Sequence, residues 1–271
     1  MKTIIANWKM NNSFEYAEYW LEKILNHSQN DKYKIILSPP AIMIDHIDEI
    51  LMNYELEKLE TVIDDIEETP EEELEKLMSE IRNIAISGQD CHYQEKGAFT
   101  GDISAKMLSE SGCEYVIIGH SERRQYHFEN DEIILKKLQA SLKENLTPIL
   151  CIGENLEVRE NIAHIEFVKN QLENNIPKNQ EIENLIIAYE PIWSIGTGKV
   201  PTDNEIAEIA KYIKNYIGDN FKNVKNYQIL YGGSVKAANA HIANIENIDG
   251  FLVGGASVEA ESFIDILKNI I

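Results

Sequence analysis

Short apolar runs recur along this chain, each closed by a polar residue or a glycine: Thr3 to Trp8, Lys34 to Ser38, Ile84 to Gln89, Tyr115 to Gly119, Thr147 to Ile152, Asn184 to Tyr189, Gln228 to Tyr231 and Gly250 to Val253. Runs that are apolar at successive positions, without alternation, read as strands buried on both faces, as in a parallel sheet. Most intervals between them carry helical spacing. From Glu132 to Glu144, for example, Ile133, Ile134, Leu138 and Leu142 fall on one side. Strand and helix alternating eight times predict an α/β protein, a closed (β/α)8 barrel forming one domain over residues 1–271. A doubly wound sheet also alternates, but it generally has fewer strands and an early Gly-x-Gly-x-x-Gly turn, which this sequence lacks.

One interval breaks the pattern. Tyr54 to Glu80, between the second and third strands, holds twelve acidic residues and two lysines, close to half of the chain's net charge of −21. Leu56, Leu59, Ile63 and Ile66 keep helical spacing. Thr69-Pro70-Glu71-Glu72 then has the form of a new helix start, with Leu74, Leu77, Met78 and Ile81 following on one face. The expectation is an extended second helix plus an acidic helical insertion over residues 54–80, a solubilising hairpin on the outside of the barrel. As a helix-to-strand connection, it belongs at the face opposite the strands' carboxyl ends.

Those carboxyl ends carry the candidate chemistry. The run ending at Tyr189 is followed at once by Glu190, a carboxylate beside a core, which is costly unless it is paired or its proton affinity is used. Pro191 and Trp193 stiffen the segment after it, and Gly196 and Gly198 can bend and offer backbone N–H groups to an anion. A second run ends in Gly119-His120-Ser121-Glu122, where a helix start disfavours imidazolium and would keep His120 neutral. The opening strand ends in Asn7 and Lys9, which point the same way at period two. Two late strands each end in Gly-Gly, at Gly232-Gly233-Ser234 and Gly254-Gly255, a pattern suited to a backbone phosphate cradle. Taken singly, a histidine is usually structural, a lysine solvated and a Gly-x-Gly merely a turn. Placed on several strand ends of one closed sheet, they converge.

With these residues in hand, the chain resembles the triosephosphate isomerase family. The resemblance rests on Asn7-Trp8-Lys9, Gly119-His120-Ser121-Glu122-Arg123-Arg124, Cys151-Ile152-Gly153-Glu154, Ala188 to Gly198, Tyr231-Gly232-Gly233-Ser234 and Phe251 to Ser257, in the family's order and across almost the whole chain. It implies the barrel of that family, the TIM barrel, and interconversion of dihydroxyacetone phosphate and D-glyceraldehyde 3-phosphate through an enediolate. It further implies Glu190 as the base, with His120 and Lys9 as donors to the developing oxyanion. Asn7, Lys9, Gly196, Ser234, Gly254 and Gly255 would bind substrate. Glu122 would hold Lys9 or the His120 turn in place. The family's homodimer is expected, with Gly97 to Gly101 as the interdigitating loop. Asp102, where the family usually has Glu, and Tyr126-His127-Phe128, where it usually has a Gly, are departures near that contact. Two other readings stay open: a different phosphate-binding barrel enzyme such as a Schiff-base aldolase, and a non-catalytic acidic relative acting as an interaction protein.

Composition narrows the picture further. A charge of −21 argues against nucleic-acid and anionic-membrane partners. Three cysteines without a CxxC pair fit a reducing compartment, and the N-terminus reads as a strand with no signal-peptide pattern, so a cytoplasmic protein is expected. No spanning apolar run and no His/Cys/Asp ligand cluster are present, and Gly196-Thr197-Gly198-Lys199 is not a P-loop; neither a metal nor a cofactor is expected.

Overall fold

The computed structural model describes residues 1–27, 32–61, 70, 84–195 and 199–270. Its strands are β1 (Lys2–Asn7), β2 (Tyr33–Ser38), β3 (Ile84–Gly88), β4 (Tyr115–Ile118), β5 (Thr147–Ile152), β6 (Ile182–Tyr189), β7 (Val224–Tyr231) and β8 (Gly250–Val253). They close into a single parallel barrel in sequence order. The seam is the β8–β1 pair, in register from Thr3↔Gly250 to Ala6↔Val253. A Cβ on Gly250 would stand 1.8 Å from the Thr3 carbonyl oxygen, so closure there requires glycine.

Two apolar layers explain the continuous runs. Ile5, Ile36, Ala85, Ile117, Ile149, Cys151, Ile186, Ala188, Leu230 and Leu252 fill the barrel interior. The alternate residues, among them Ile4, Ile35, Ile86, Val116, Leu150, Ile187 and Phe251, face the surrounding helices. These helices are α1 (Phe14–His27), α2 (Ile44–Glu60), α3 (Ala105–Glu110), α4 (Ser121–Tyr126), α5 (Asp131–Lys143), α6 (Leu156–Glu160), α7 (His164–Asn175), α8 (Asp203–Asn220) and α9 (Ala260–Lys268). Helix α8 opens on a complete capping box, Thr202 with Glu205. Between β7 and β8 a 3₁₀ segment, Ala237–Asn244, replaces the α-helix.

Two differences from the sequence reading have physical causes. Strands β6 and β7 start earlier, at Ile182 and Val224, because one buried apolar residue precedes two exposed polar ones in each. Helix α5 buries Ile134, Lys137, Leu138 and Ser141, whereas Ile133 and Leu142 are only partly buried. Lys137 can occupy a core position because its Nζ is held by Asp90 (2.7 and 2.8 Å) and Glu129 (2.6 Å). The acidic segment opens with the extended second helix that was expected. Residues Tyr54 to Glu60 continue α2, with Leu59 buried and Tyr54 packed on the core. Beyond Thr61 only Pro70 belongs to the described residues, so the second acidic helix and the hairpin lie outside them.

Candidate active site

Each functional side chain stands where an apolar run stops. Asn7 ends β1, and its Oδ1 accepts the N–H of Lys9 at 3.0 Å. Lys9 has left-handed backbone, with φ of 54°, a conformation that costs a non-glycine residue free energy and persists when its surroundings fix it. Here the carbonyl of Lys9 also accepts from Gln89 Nε2 at 2.8 Å, and the same amide donates to Ser38 O at 2.9 Å. The Nζ of Lys9 therefore leaves a rigid stem, and it meets Glu122 Oε1 at 2.6 Å.

His120 caps α4. Its Nδ1 accepts the Glu122 N–H at 3.2 Å, which places the ring proton on Nε2. That Nε2 lies 3.1 Å from Glu190 Oε1, and Glu190 Oε2 accepts the Ser121 N–H at 3.1 Å. Glu190 is only 2 % exposed. Burial is the largest influence on both groups and opposes charge on each. Their mutual contact, together with the Ser121 N–H on the carboxylate, outweighs it, so Glu190 is held below its ordinary pKa and His120 is raised above its own. The expectation of a neutral imidazole thus meets two opposing forces. The acceptor role of Nδ1 favours the neutral ring, and the adjacent carboxylate favours the charged one.

The backbone around Glu190 tolerates no crowding. A Cβ on Gly153 would stand 1.7 Å from Glu190 O, and one on Gly232 would stand 2.9 Å from Glu190 Cγ. Glu154, fully buried after β5, accepts from Tyr189 Oη (3.1 Å to each oxygen) and from Trp193 Nε1 (2.9 Å), anchoring the start of the segment after Glu190. Arg124 ties the ends of β4 and β5 together, donating to Gly119 O (2.9 Å) and Cys151 O (3.1 Å) and pairing with Asp131 (2.9 Å). Sequence reasoning assigned no role to Gln89, Glu154 or Arg124. Arg124 and Glu154 stand in the family motifs of the sequence, and Gln89 carried only the signal of a polar side chain closing an apolar strand.

A cavity of about 930 Å³ at the carboxyl ends brings together Asn7, Lys9, His120, Glu190, Ser234, Gly254 and Gly255. Ser234 Oγ donates to Ser194 O at 2.8 Å, joining the β7 loop to the segment after Glu190. Gly254 passes 3.2 Å from Lys9 Cε, measured from where its Cβ would be, and Gly255 has nothing within 4 Å of that point. Gly196 lies outside the described residues.

A buried carboxylate, an imidazole donor and a lysine around one cavity at the carboxyl end of a closed βα barrel make the acid–base site of a barrel enzyme. The family model for triosephosphate isomerase matches residues 2–72 and 66–270. The triosephosphate isomerase of Alkaliphilus oremlandii is 38% identical, covering 98% of this chain and 99% of that protein. That of Mycoplasma capricolum is 40% identical, with 98% of each chain covered. The crystal structure of triosephosphate isomerase from Bartonella henselae superposes with a TM-score of 0.81 at 33% identity, covering 99% of this chain and 98% of that one. The chain belongs to the triosephosphate isomerase family. It is an aldose–ketose isomerase of triose phosphates, an enzyme of glycolysis.

Proposed function

We propose that Glu190 is the base that carries the proton between the two carbons of the triose phosphate, with His120 and Lys9 stabilising the enediolate oxygens. The observation that carries this is the contact of buried Glu190 with His120 Nε2 at 3.1 Å inside the cavity that also holds Lys9. Substrate entering the cavity would take the Nε2 hydrogen bond for its own carbonyl oxygen. That step frees a carboxylate oxygen and removes the His120 contact that lowers the Glu190 pKa most, leaving burial to raise its basicity where a carbon-bound proton must be taken. The same step relieves His120 of its adjacent charge, so the neutral Nε2–H donor is restored as oxyanion charge develops. Glu190 takes a proton from one carbon and returns it to the neighbour, while the hydroxyl proton passes from one enediolate oxygen to the other beside His120 Nε2, so no electrons leave the substrate.

Backbone groups of Ser234, Gly254, Gly255 and Gly196 form the phosphate cradle in this reading, and Asn7 assists Lys9. The protein acts as a cytoplasmic homodimer without metal or cofactor, its loop Gly97 to Gly101 reaching the partner. Sedimentation showing a fully active monomer at assay concentration would remove the dimer from this reading. The acidic segment 54–80 is a surface elaboration within one domain of 1–271. A Schiff-base enzyme is disfavoured by Glu190 standing where a strand-end lysine would be needed, and by the ion pair of Lys9 with Glu122 at 2.6 Å. A coupled assay with D-glyceraldehyde 3-phosphate tests the proposal. Glu190→Asp should lower kcat by at least about 100-fold while inorganic phosphate still inhibits, because the carboxylate retreats by about one methylene. Activity near wild type would exclude Glu190 as the base.

A further inference from the structure

The wall of the catalytic cavity carries more charge than the reaction uses. Its ionisable members are Lys9, His120, Glu190, Lys236 and Asp265. Most are already neutralised by a neighbour: Lys9 by Glu122 at 2.6 Å, His120 and Glu190 by each other at 3.1 Å, and Asp265 by Lys268 at 3.5 Å. Lys236 makes no ion pair among the described residues, and it is exposed. Its place is nonetheless fixed. Lys236 N donates to Asn239 Oδ1 at 2.7 Å, and Asn239 Nδ2 donates to Ser234 O at 2.8 Å. One amide side chain thus clasps both ends of the turn Ser234 to Lys236, and the lysine rises from the same turn as the proposed phosphate cradle.

A chain of net charge −21 repels a phosphate dianion over the range at which encounter is decided. An uncommitted cation rooted at the cavity mouth reverses that field locally. We propose that Lys236 is a steering residue that draws the phosphate dianion into the cavity and favours phosphorylated over uncharged trioses, without taking part in proton transfer. The proposal rests on the triose-phosphate reading of the cavity. It predicts a dependence on ionic strength that a purely structural role would not produce, since exposed charges are screened over about 10 Å at 0.1 M salt.

The test is steady-state kinetics with D-glyceraldehyde 3-phosphate on the full chain and on Lys236→Ala, Lys236→Arg and Lys236→Glu, at low and high salt, with inorganic phosphate as competitive inhibitor. For Lys236→Ala, kcat should stay within about two-fold while kcat/KM falls about three- to ten-fold at low ionic strength, one charge supplying only part of the roughly 10- to 1,000-fold that a whole field can contribute. The deficit should close to under about two-fold near 0.5 M salt. The inhibition constant of phosphate should rise in parallel, Lys236→Arg should restore both, and Lys236→Glu should exceed the alanine effect. With D-glyceraldehyde, which lacks the phosphate, wild type and Lys236→Ala should react alike. A salt-independent loss, a loss in kcat, or wild-type kinetics in Lys236→Ala would each overturn the proposal while leaving the isomerase reading in place. Wild-type protein without isomerase activity would remove that reading, and the steering role with it.

Discussion

His120 and Glu190 show how far a single residue's chemistry is set by its neighbours. Of the influences acting on His120, burial and Lys9 lower its pKa, while Glu190 and Glu122 raise it, and the net direction is upward. Replacing Glu190 by glutamine removes the principal raising influence and keeps the burial. The His120 titration midpoint, followed by NMR of the ring protons, should therefore move to lower pH in Glu190→Gln than in wild type. A midpoint that stays put or rises would mean that the carboxylate does not control the ring. The linkage has a definite sign. The raised imidazole stabilises the fold below its ordinary 6.5 and loses that contribution as pH climbs through the folded value. The depressed carboxyl stabilises above its ordinary 4.5 and loses it as pH falls through its own folded value. Between those limits the pair contributes most. Both residues were legible in the sequence because an ionisable group terminating an apolar run is expensive. The roles of Gln89, Glu154 and Arg124 were not, because their hydrogen bonds reach across the fold, as from Gln89 to Lys9 or from Trp193 to Glu154.

Elements were legible where one physical signal dominated. Every strand ends within one residue of its expected carboxyl end, since that is where the apolar run meets polar chemistry, whereas strand starts drifted when exposed polar residues entered the run. The buried face of α5 was read correctly at Ile134 and Leu138 but without Lys137, which looks polar in the sequence and is paired by Asp90 and Glu129 outside the helix. Turns hid a different feature. Asn12, Asn145 and Asn247 take left-handed backbone, as asparagine readily does, but Ile162 does so too, with φ of 58° and 82 % exposure. It closes the turn after α6, where Ala163 N donates to Val158 O at 3.0 Å. Left-handed backbone costs a side-chain-bearing residue about 1–2 kcal/mol. Glycine removes that cost but adds about 0.5–1 kcal/mol of chain entropy to the unfolded state. Ile162→Gly should therefore stabilise by about 0.5–1 kcal/mol and raise Tm by about 1–4 °C, as read by calorimetry. A lower Tm would show that the isoleucine gains more from its surroundings than its exposure suggests.

At the scale of the whole molecule, a barrel separates its two ends. Asn7, Lys9, His120 and Glu190 line one cavity at or just beyond the carboxyl ends of β1, β4 and β6. Helix α2 leads instead toward the start of β3 at Ile84, at the end opposite the catalytic cavity. The acidic segment was legible as an interruption of the strand–helix rhythm, but not its boundary, because Tyr54 to Glu60 belong to α2 and Leu59 is buried there. Cutting at Asn53 would therefore damage the barrel wall. A cut after Thr61, replacing residues 62–80 by a short Gly/Ser linker, keeps α2 whole and removes nine acidic residues and one lysine. At 0.1 M salt or above we expect kcat/KM to stay within about three-fold of wild type, since the replaced residues join elements at the end remote from Glu190 and exposed charges are screened over about 10 Å. Circular dichroism and the coupled assay on the same preparation decide the matter. A variant that remains folded yet loses most of its activity would mean that the acidic segment reaches the catalytic end or supports the functional assembly.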